Sequence, residues 1–503
     1  MTTKSCILKI ADQTNATFTG LDSITRRKCN KELKFFVHAH RYLPSVKLGR
    51  WDGCVSFFSL TGHTFINLLD RVLPIIVDAG YDIELQDNRP AHNFEFPTVS
   101  NDYFQIHCNS AVWPADHQLA GKPIELRDHQ VEVIQAAIEN LQSVQEVSTS
   151  AGKTIITAAL SHMCQPYGRT LVIVPNKDLV RQTEADYLNV GLDVGVYFGD
   201  RKDFNKTHTI CTWQSLDRIT KKERDGMAEF TMAEFIQDVV CVIVDETHQA
   251  KADVLQKLLC GPFAAIPIRW GVTGTIPKED HNVISILASL GPVVHKLAAR
   301  DLMDLGILAE CRIRILQMQD TVEFSSFHEE NHYLVTDSNR LDWIAELIKE
   351  RCLEGNTLVL VNRVETGKEL AARVPHSTFV YGATKSSDRK DSYDTITTGD
   401  NIAIIASYGV AAVGINIPRI FNLILLEPGK SFIRVIQSIG RGIRKAEGKT
   451  HVDVFDVAST CKFSAKHVLE RKKTYKSAQY PYTAQKVDYL AQLISGKIDL
   501  KEK

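Results

Sequence analysis

The sequence predicts an α/β protein with two successive parallel sheets, and two observations carry that prediction. Short apolar, β-branched runs alternate with amphipathic helical stretches from about residue 123 to 292, and the alternation restarts after about residue 340. Each run is followed by polar or turn residues, as expected of strands that are buried on both faces of a parallel sheet. A chain of 503 residues has room for about three domains.

The predicted elements fall into two series. In the first series we expect buried strands at residues 170–174, 208–212 and 239–244. In the second series we expect an alternating strand at 311–315, a helix at 341–351, and buried strands at 357–361, 401–405 and 423–426. The expected domains are an N-terminal region rich in aromatics, His and Arg at 1–115, α/β domains at 116–305 and 306–460, and a basic helical tail at 461–503.

Charge and composition exclude several classes of protein. Lys and Arg number 59 against 60 Asp and Glu, so the chain is not coated in positive charge, although a local basic groove is enough to hold nucleic acid. The 11 cysteines form no CxxC pair, which argues against a zinc ribbon and fits reduced thiols in the cytosol. No signal peptide and no membrane-spanning run is recognised, so we expect a cytoplasmic protein without a membrane partner.

A phosphate-binding loop is the strongest local signal, and it comprises Ser148, Thr149, Ser150, Ala151, Gly152, Lys153 and Thr154. Backbone N–H groups of such a loop cradle phosphates, and the following helix N-terminus favours their negative charge. We expect Gly152 to allow close approach, Lys153 to reach the β- and γ-phosphates, and the Thr154 hydroxyl to ligate Mg²⁺. Val147 stands where the strict pattern has Gly, so at this point a chance Gly–Lys–Thr turn stays open.

Two carboxylates follow an apolar strand further along the chain. Asp245 and Glu246 end the run that begins at Val242. At the carboxyl edge of a parallel sheet they would face the ligand crevice. Asp245 would hold Mg²⁺, and Glu246 would orient or deprotonate an attacking water. A solvated strand end would explain either residue alone, but a phosphate loop followed by this pair makes chance improbable.

A pair of arginines completes the candidate catalytic set. Gln437 opens a segment in which Arg441 and Arg444 stand three residues apart, so in a helix they share a face. Guanidinium groups match the charge and shape of phosphate oxygens, and the pair could reach the nucleotide when the two α/β domains close. A solvated basic helix face explains this segment equally well when it is taken by itself.

Taken together, these segments resemble helicase superfamily 2, with a DExH-type motif that ends at His248. The matching segments are residues 126–130, 148–154, 174–182, 212–215, 245–248, 273–275, 409–418 and 437–444. The resemblance implies two tandem RecA-like domains that hydrolyse ATP with Mg²⁺ and move along nucleic acid. It places Arg127 and Gln130 at the adenine, and Gly414 and Asn416 near the nucleotide. Asn416 stands where many members carry Asp, so it is given no acid role.

The N-terminal region resembles the accessory domain of the UvsW family of phage helicases. The resemblance rests on residues 42–53, which end in Trp51–Asp–Gly53, and on residues 55–58. It implies a small N-terminal α/β domain, a substrate of forks, four-way junctions or R-loops, and a location in the host cytoplasm for a phage protein. Arg50 and Trp51 combine charge with a stacking ring, as single-strand or junction binders do. Trp51 could equally be a core residue, since large aromatics are mostly buried.

Several residues are candidates for contact with a nucleic-acid backbone. They are Lys177, Arg181 and Thr212 in the first α/β domain, and Arg363 and Gly409 in the second. The basic tail is expected to add phosphate contacts. DNA is the expected partner, with RNA possible within RNA–DNA hybrids. Two alternatives stay open. One is a DExH-type RNA helicase, because contacts to a nucleic-acid backbone recognise its shape. The other is a nucleotide-gated clamp that does not unwind.

Overall fold

The computed structural model describes the chain in segments and divides it into two compact units. The described residues are 4–37, 40–108, 111–115, 119–148, 151–247, 252–277, 279–384, 388, 392, 395, 399–410, 419–429 and 449–500. The first unit contains residues 1–147 and 152–296, and the second contains residues 148–151 and 297–503.

The N-terminal region forms a small α/β domain. Its four-stranded sheet has the order β5-β2-β1-β6 among the described residues, and β3 and β4 form a separate two-stranded ribbon. The strands are β1 (Lys4–Ile10), β2 (Asn15–Thr19), β3 (Lys34–Phe36), β4 (Cys54–Ser56), β5 (His63–Phe65) and β6 (Tyr81–Asp87). The helices are α1 (Ser23–Glu32), α2 (Pro44–Lys47), α3 (Leu69–Asp78) and, after an extended segment, α4 (Tyr103–His107).

The first unit also contains a sheet of eight described strands, in the order β10-β9-β11-β8-β12-β13-β7-β14. The strands are β7 (Gln142–Val147), β8 (Arg169–Val174), β9 (Val194–Phe198), β10 (Arg201–Lys202), β11 (His208–Thr212), β12 (Val239–Asp245), β13 (Ile268–Thr273) and β14 (Val293–Leu297). The helices are α5 (Asp128–Ile138), α6 (Lys153–Cys164), α7 (Lys177–Asn189), α8 (Trp213–Arg224), α9 (Met232–Phe235), α10 (Ala252–Leu259) and α11 (Asp280–Leu290). The central strands pair in parallel, and β10 is antiparallel to β9.

The small domain and this sheet share a hydrophobic core. Ile284 and Ala288 of α11 are buried in the same cluster as Phe57 and Leu68 of the small domain. The Gln13 backbone N–H also donates to the Ala264 carbonyl oxygen at 2.9 Å. Burying apolar surface on both sides joins the two parts into one body, so the N-terminal domain is built onto the first sheet rather than tethered to it.

The second unit contains a sheet of seven described strands, in the order β17-β18-β16-β19-β20-β15-β21. The strands are β15 (Glu310–Met318), β16 (Thr357–Val361), β17 (Thr378–Val380), β18 (Ala403–Ser407), β19 (Asn422–Leu426), β20 (His451–Ser459) and β21 (Tyr482–Val487). The described helices are α12 (Ala299–Asp304), α13 (Phe327–Thr336), α14 (Ser338–Glu354), α15 (Val364–Arg373), α16 (Lys462–Ser477) and α17 (Tyr489–Ser495). The strand pairs are parallel.

Residues after 461 differ from the expected separate basic tail. The strand β21 pairs in parallel with β15, and Trp343 of α14 donates from its indole N–H to Gln492 of α17 at 2.9 Å. Arg471 is almost fully buried and makes a two-bond contact with Asp456, at 2.7 and 2.8 Å. A buried guanidinium needs such a partner, because charge is costly to desolvate. The segment is therefore an integral part of the second sheet domain.

The predicted α/β fold with two parallel sheets is confirmed. Of the predicted strands, the one expected at 401–405 lies two residues later, at Ala403–Ser407, and the one expected at 311–315 extends over Glu310–Met318. Among the described residues, no helix is both long and apolar enough to cross a bilayer.

Candidate functional site

The strands of the first large sheet bring the predicted site residues to one edge. Since β7, β13 and β12 are parallel neighbours, their carboxyl ends lie side by side, with β13 in the middle. The chain continues from these ends into the phosphate loop, into Gly274 and into Glu246. This is the edge at which α/β sheets bind ligands.

Gly152 is required by its conformation and by its surroundings. It precedes α6 with a φ of 85°, in the left-handed region. A Cβ at this position would lie 2.2 Å from Gln130 Nε2. Glycine therefore leaves the backbone open beside the first turn of a helix, where N–H groups and the helix dipole favour an anion. These residues fit the phosphates of a nucleotide.

Lys153 and Glu246 form an ion pair at this edge. Lys153 Nζ lies 2.6 Å from Glu246 Oε1, with the two side chains 11% and 10% exposed. Glu246 has a φ of 51°, a conformation that a non-glycine residue keeps only when its surroundings enforce it. Its backbone N–H donates to the Val272 carbonyl oxygen at 2.8 Å and to Asp245 Oδ1 at 2.9 Å. The glutamate is thus held in a fixed place against the lysine.

The pKa of the neighbouring carboxyl group is strongly perturbed. Burial and, to a smaller extent, the negative charge of Glu246 together raise the pKa of Asp245 to about 7, against the opposing charge of Lys153. A divalent cation would favour the charged form of this group, because an opposite charge stabilises the carboxylate. Asp245 and Thr154, the second residue of α6, are therefore a suitable oxygen-ligand pair for Mg²⁺.

Two threonines that the sequence analysis did not single out lie next to these groups in the chain. Thr247 follows Glu246, and Thr275 follows Gly274, whose N–H donates to Glu246 Oε2 at 3.5 Å. The hydroxyl oxygens of both threonines are buried and have no hydrogen-bond partner within the described part of the chain. Buried hydroxyls usually have a partner, so these two are candidates for contact with a phosphate or with water. Their position directly after a strand end was the available signal.

Gln130 connects the predicted adenine-binding segment to the phosphate loop. Its Oε1 accepts the Arg127 backbone N–H at 2.9 Å, while its Nε2 lies beside Gly152. The Arg127 side chain is exposed, and Ser148 and Ala151 are buried. The remaining predicted site residues lie outside the described residues: Thr149, Ser150, Gly414, Asn416, Gln437, Arg441 and Arg444. His248 of the DExH motif is also among them.

The backbone-contact candidates of the first sheet have different environments. Lys177 is exposed at the start of α7, directly after the loop that leaves β8. Arg181 is one turn further on, where its guanidinium lies 5.6 Å from the centre of the Phe198 ring. Thr212 is the exception, because it is buried and its hydroxyl accepts the Ser215 backbone N–H at 3.3 Å. The Thr212 side chain caps α8, and its expected role as a strand contact stays a prediction.

In the second unit, Arg363 and Gly409 follow the ends of β16 and β18. Arg363 Nη1 lies 3.2 Å from His332 Nδ1. Gly409 is exposed, and a Cβ built there would have no neighbour within 4 Å. Both residues are therefore accessible at the carboxyl edge of this sheet.

In the N-terminal domain, Trp51 is neither a core residue nor a free stacking ring. It is half-buried, and its indole N–H donates to the Cys54 carbonyl oxygen at 2.9 Å. It shapes the turn before β4, in which Gly53 adopts a φ of 80°. Arg50 is exposed, and the exposed rings nearby in the chain belong to Phe36 and Tyr42, at 60% and 77%.

Two protein-family models match the chain. Residues 123–278 match the family described as Type III restriction enzyme, res subunit, and residues 339–446 match the Helicase conserved C-terminal domain. The first match contains the ion pair of Lys153 with Glu246, and the second contains most of the second sheet. The residues of the site therefore lie in the segments that define these families.

One curated protein and two solved structures are similar to this chain over most of its length. The ATP-dependent DNA helicase uvsW of Enterobacteria phage T4 is 23% identical over 461 residues, which cover 87% of this chain and 88% of that protein. The solved structure of the ATP-dependent Type ISP restriction-modification enzyme LlaBIII bound to DNA matches with a TM-score of 0.56 and 15% identity, over 82% of this chain and 34% of that one. Dbp5 of S. cerevisiae, bound to RNA and ADP BeF3, matches with a TM-score of 0.50 and 14% identity, over 74% and 96% of the two chains. The chain therefore carries the two domains that these family models describe, and it is similar to the UvsW helicase over most of its length.

Proposed function

We propose that this protein is an ATP-dependent DNA helicase or translocase that unwinds or branch-migrates forks, four-way junctions and R-loops in replication, recombination or repair. The observation that carries the proposal is the buried pair of Lys153 and Glu246, next to Asp245 and to a glycine-opened helix N-terminus. The similarity to a phage protein named a DNA helicase covers 87% of the chain, more than the two family matches together. This supports DNA as the substrate.

Hydrolysis would begin with a change of partner at Lys153. Its ammonium group now contacts Glu246 Oε1, and a phosphate oxygen is an equally suitable anionic acceptor. Once Lys153 turns to phosphate, Glu246 loses its ion-pair partner and can accept a proton from the attacking water. The Glu246 backbone N–H stays bonded to the Val272 carbonyl oxygen, and its Oε2 still accepts the Gly274 N–H, so the residue keeps its position during this exchange. Mg²⁺, held by Asp245 and Thr154, would neutralise charge on the phosphates.

The proposed contacts with a nucleic-acid strand come from residues of both sheets. Lys177 and Arg181 in the first unit, and Arg363 and Gly409 in the second, lie at or near the carboxyl ends of strands. Contacts to phosphates hold a strand without reading its sequence. We also propose that Arg441 and Arg444, with Gln437, stabilise the charge that develops on the departing phosphate.

Selection of branched substrates is assigned to the N-terminal domain. Its surface offers the exposed cation of Arg50 together with the exposed rings of Phe36 and Tyr42. Unpaired bases at a branch can stack on such rings, and phosphates can pair with the cation. Because this domain shares a core with the first sheet, it would move as one body with the ATP site.

The deciding experiment measures ATP hydrolysis with no nucleic acid, with single-stranded DNA, with single-stranded RNA and with a four-way DNA junction. We expect DNA to stimulate hydrolysis, the junction to be unwound, and Lys153→Ala to abolish both activities. Lys368→Ala, on the exposed surface of α15, is the matched control and should behave like the parent. Stimulation by RNA alone would identify an RNA helicase, and hydrolysis without unwinding would identify a nucleotide-gated clamp.

A further inference from the structure

A cavity of about 290 Å³ opens in the second unit at the carboxyl ends of two neighbouring strands. Asn362 and Arg363 follow β16, Glu427 follows β19, and all three line the cavity. The chain leaves β16 toward β17, on one side in the sheet, and leaves β19 toward β20, on the other side. In open α/β sheets, ligands bind outside the carboxyl ends of strands where the strand order reverses in this way. The cavity therefore occupies the usual ligand position of this fold class.

Glu427 is held in an unusual conformation at this place. Its φ is 40° and its side chain is buried. Its Oε2 accepts the Ser464 hydroxyl at 2.9 Å, while its Oε1 accepts no hydrogen bond from any described residue and lies 3.6 Å from Arg340 Nη2. Left-handed non-glycine residues are uncommon and concentrate where a site constrains the backbone. Glu427 is thus a fixed carboxylate whose Oε1 is buried against Arg340, so Oε2 is the oxygen that can accept a further hydrogen bond at the cavity.

The groups around the cavity argue against a free anion or a metal ion as the occupant. Glu330 and Glu427 both line it, and a carboxylate has no N–H or O–H to donate to a phosphate oxygen. The two Glu330 oxygens already accept the backbone N–H groups of Phe463 and Ser464, at 2.9 and 2.6 Å. With Glu427 beside Arg340, neither carboxylate has the free charge that a divalent cation needs.

An aromatic wall completes the cavity. Phe327 lines it and is 49% exposed. The ring lies edge-on to His467, with centroids 5.4 Å apart, and to Phe463 at 6.0 Å. These contacts hold the Phe327 ring in place while part of it stays open to solvent. An exposed aromatic face beside amide and carboxylate groups is the combination that binds unstacked nucleobases, by stacking and by hydrogen bonds to their edges.

We propose that this cavity binds one unstacked nucleobase of the nucleic-acid strand, with Phe327 stacking on the base and Glu427 accepting hydrogen bonds from its edge. Arg363, which also lines the cavity, would hold an adjoining phosphate. Guanine presents two neighbouring N–H donors, either of which can bond to Glu427 Oε2, so guanine is the preferred base. The inference rests on the proposed nucleic-acid function. It adds a contact to a base, whereas the other proposed contacts are to the nucleic-acid backbone.

The test measures binding of the full chain to fluorescent oligodeoxythymidylates of about 20 nucleotides, with central guanines, adenines or cytosines in place of thymines. The parent should bind the guanine-containing strand most tightly. Phe327→Leu keeps the apolar bulk but removes the stacking face, so affinity for every strand should fall roughly fivefold to a hundredfold. Phe327→Tyr keeps the ring and should restore binding. Glu427→Gln should abolish the preference for guanine, since the amide can place an N–H group where Oε2 accepts.

Leu353→Ala is the matched control, because Leu353 is a 77% exposed apolar residue on α14 that does not line the cavity. Its binding should equal that of the parent. If Phe327→Leu and Glu427→Gln bind all four strands as the parent does, the inference is overturned while the proposed function stands. If the parent binds none of the strands, the proposed function and this inference fail together.

Discussion

Two glutamates occupy matching places in the two large sheets. Glu246 directly follows the last residue of β12, and Glu427 directly follows the last residue of β19. Their φ angles are 51° and 40°, and each residue is 8% exposed. Each has a cation beside it, with Lys153 Nζ 2.6 Å from Glu246 and Arg340 Nη2 3.6 Å from Glu427. Each of the two large sheets therefore has a buried carboxylate directly after the end of a strand.

The partners of the two glutamates differ in a way that sets their roles apart. Lys153 opens a helix after left-handed Gly152 and is 11% exposed, so its contact can pass to a phosphate. Arg340 is fully buried and also forms an ion pair with the fully buried Asp320. It is fixed in the core, because removing a charge from a buried pair leaves its partner uncompensated. We infer that the first glutamate serves a reaction and the second serves a binding site.

The largest effect expected from this comparison is on ATP turnover at Glu246. Glu246→Gln keeps the shape of the side chain but cannot accept a proton, so turnover should fall by roughly 10²–10⁴ while ATP affinity is retained. The measurement pairs the DNA-stimulated hydrolysis rate at saturating ATP with equilibrium binding of a fluorescent ATP analogue. Glu32→Gln, on the exposed end of α1, is the control. Normal turnover of Glu246→Gln would contradict the catalytic role inferred for Glu246.

The second prediction concerns the fixed ion pairs of the second unit. Arg471→Met should lower the free energy of unfolding by about 3–5 kcal/mol, because Asp456 would stay buried without its cation. Denaturant unfolding, monitored by circular dichroism, measures this loss. Lys473→Met is the control, since Lys473 pairs with Glu470 on the exposed face of the same helix. Equal stability of the two variants would show that the segment after residue 461 is not anchored by Arg471.

The third prediction concerns the carboxyl groups of Asp245 and Glu427, which lie at the two strand ends and have raised pKa values. Burial raises the pKa of both Asp245 and Glu427 to about 7, but only Asp245 is proposed to bind Mg²⁺. As pH falls through about 7, Asp245 gains a proton that competes with the cation, so the Mg²⁺ concentration for half-maximal nucleotide binding should rise about tenfold for each further pH unit. Titrations at several pH values measure this slope. Asp245→Asn should lack it, and an unchanged slope in that variant would assign the pH dependence to another group.

The smallest expected effect is on the salt dependence of DNA binding. Lys462, Lys466 and Lys476 are exposed on α16, and each would release a counterion if it contacts a phosphate. Replacing all three by Gln should reduce the slope of log affinity against log salt by about 2 for a single strand. The substitutions leave Arg471 in place, so the domain stays folded. A slope equal to that of the parent would mean that this helix face is only solvated, and that the grip of the second unit is confined to its strand ends.

The sequence by itself determined the two parallel sheets and was enough to predict three residues of the proposed ATP site. Runs such as residues 170–174 and 357–361 are apolar after their first Thr, because both faces of a parallel strand are buried. A few consecutive residues are therefore enough to predict such a strand. The same holds for Lys153, Asp245 and Glu246, since a strand end and a helix start are local features. In the structure these three residues lie together, as the sequence predicted.

Only the tertiary structure decided the roles of Thr212, Trp51, Arg471 and Glu427. Thr212 became a buried helix cap, Trp51 a turn-forming donor, and Arg471 the partner of Asp456. The bonds of Thr212 and Trp51 reach residues only three positions further on, so packing decided the burial of these side chains, whereas the Arg471 bond joins residues 15 positions apart. A basic residue in a helix has the same local pattern whether it faces solvent or a buried carboxylate, and a glutamate after a strand has the same pattern at either sheet. Burial and the partner that compensates it arise from the packing of distant segments, and that packing is not encoded in a local window.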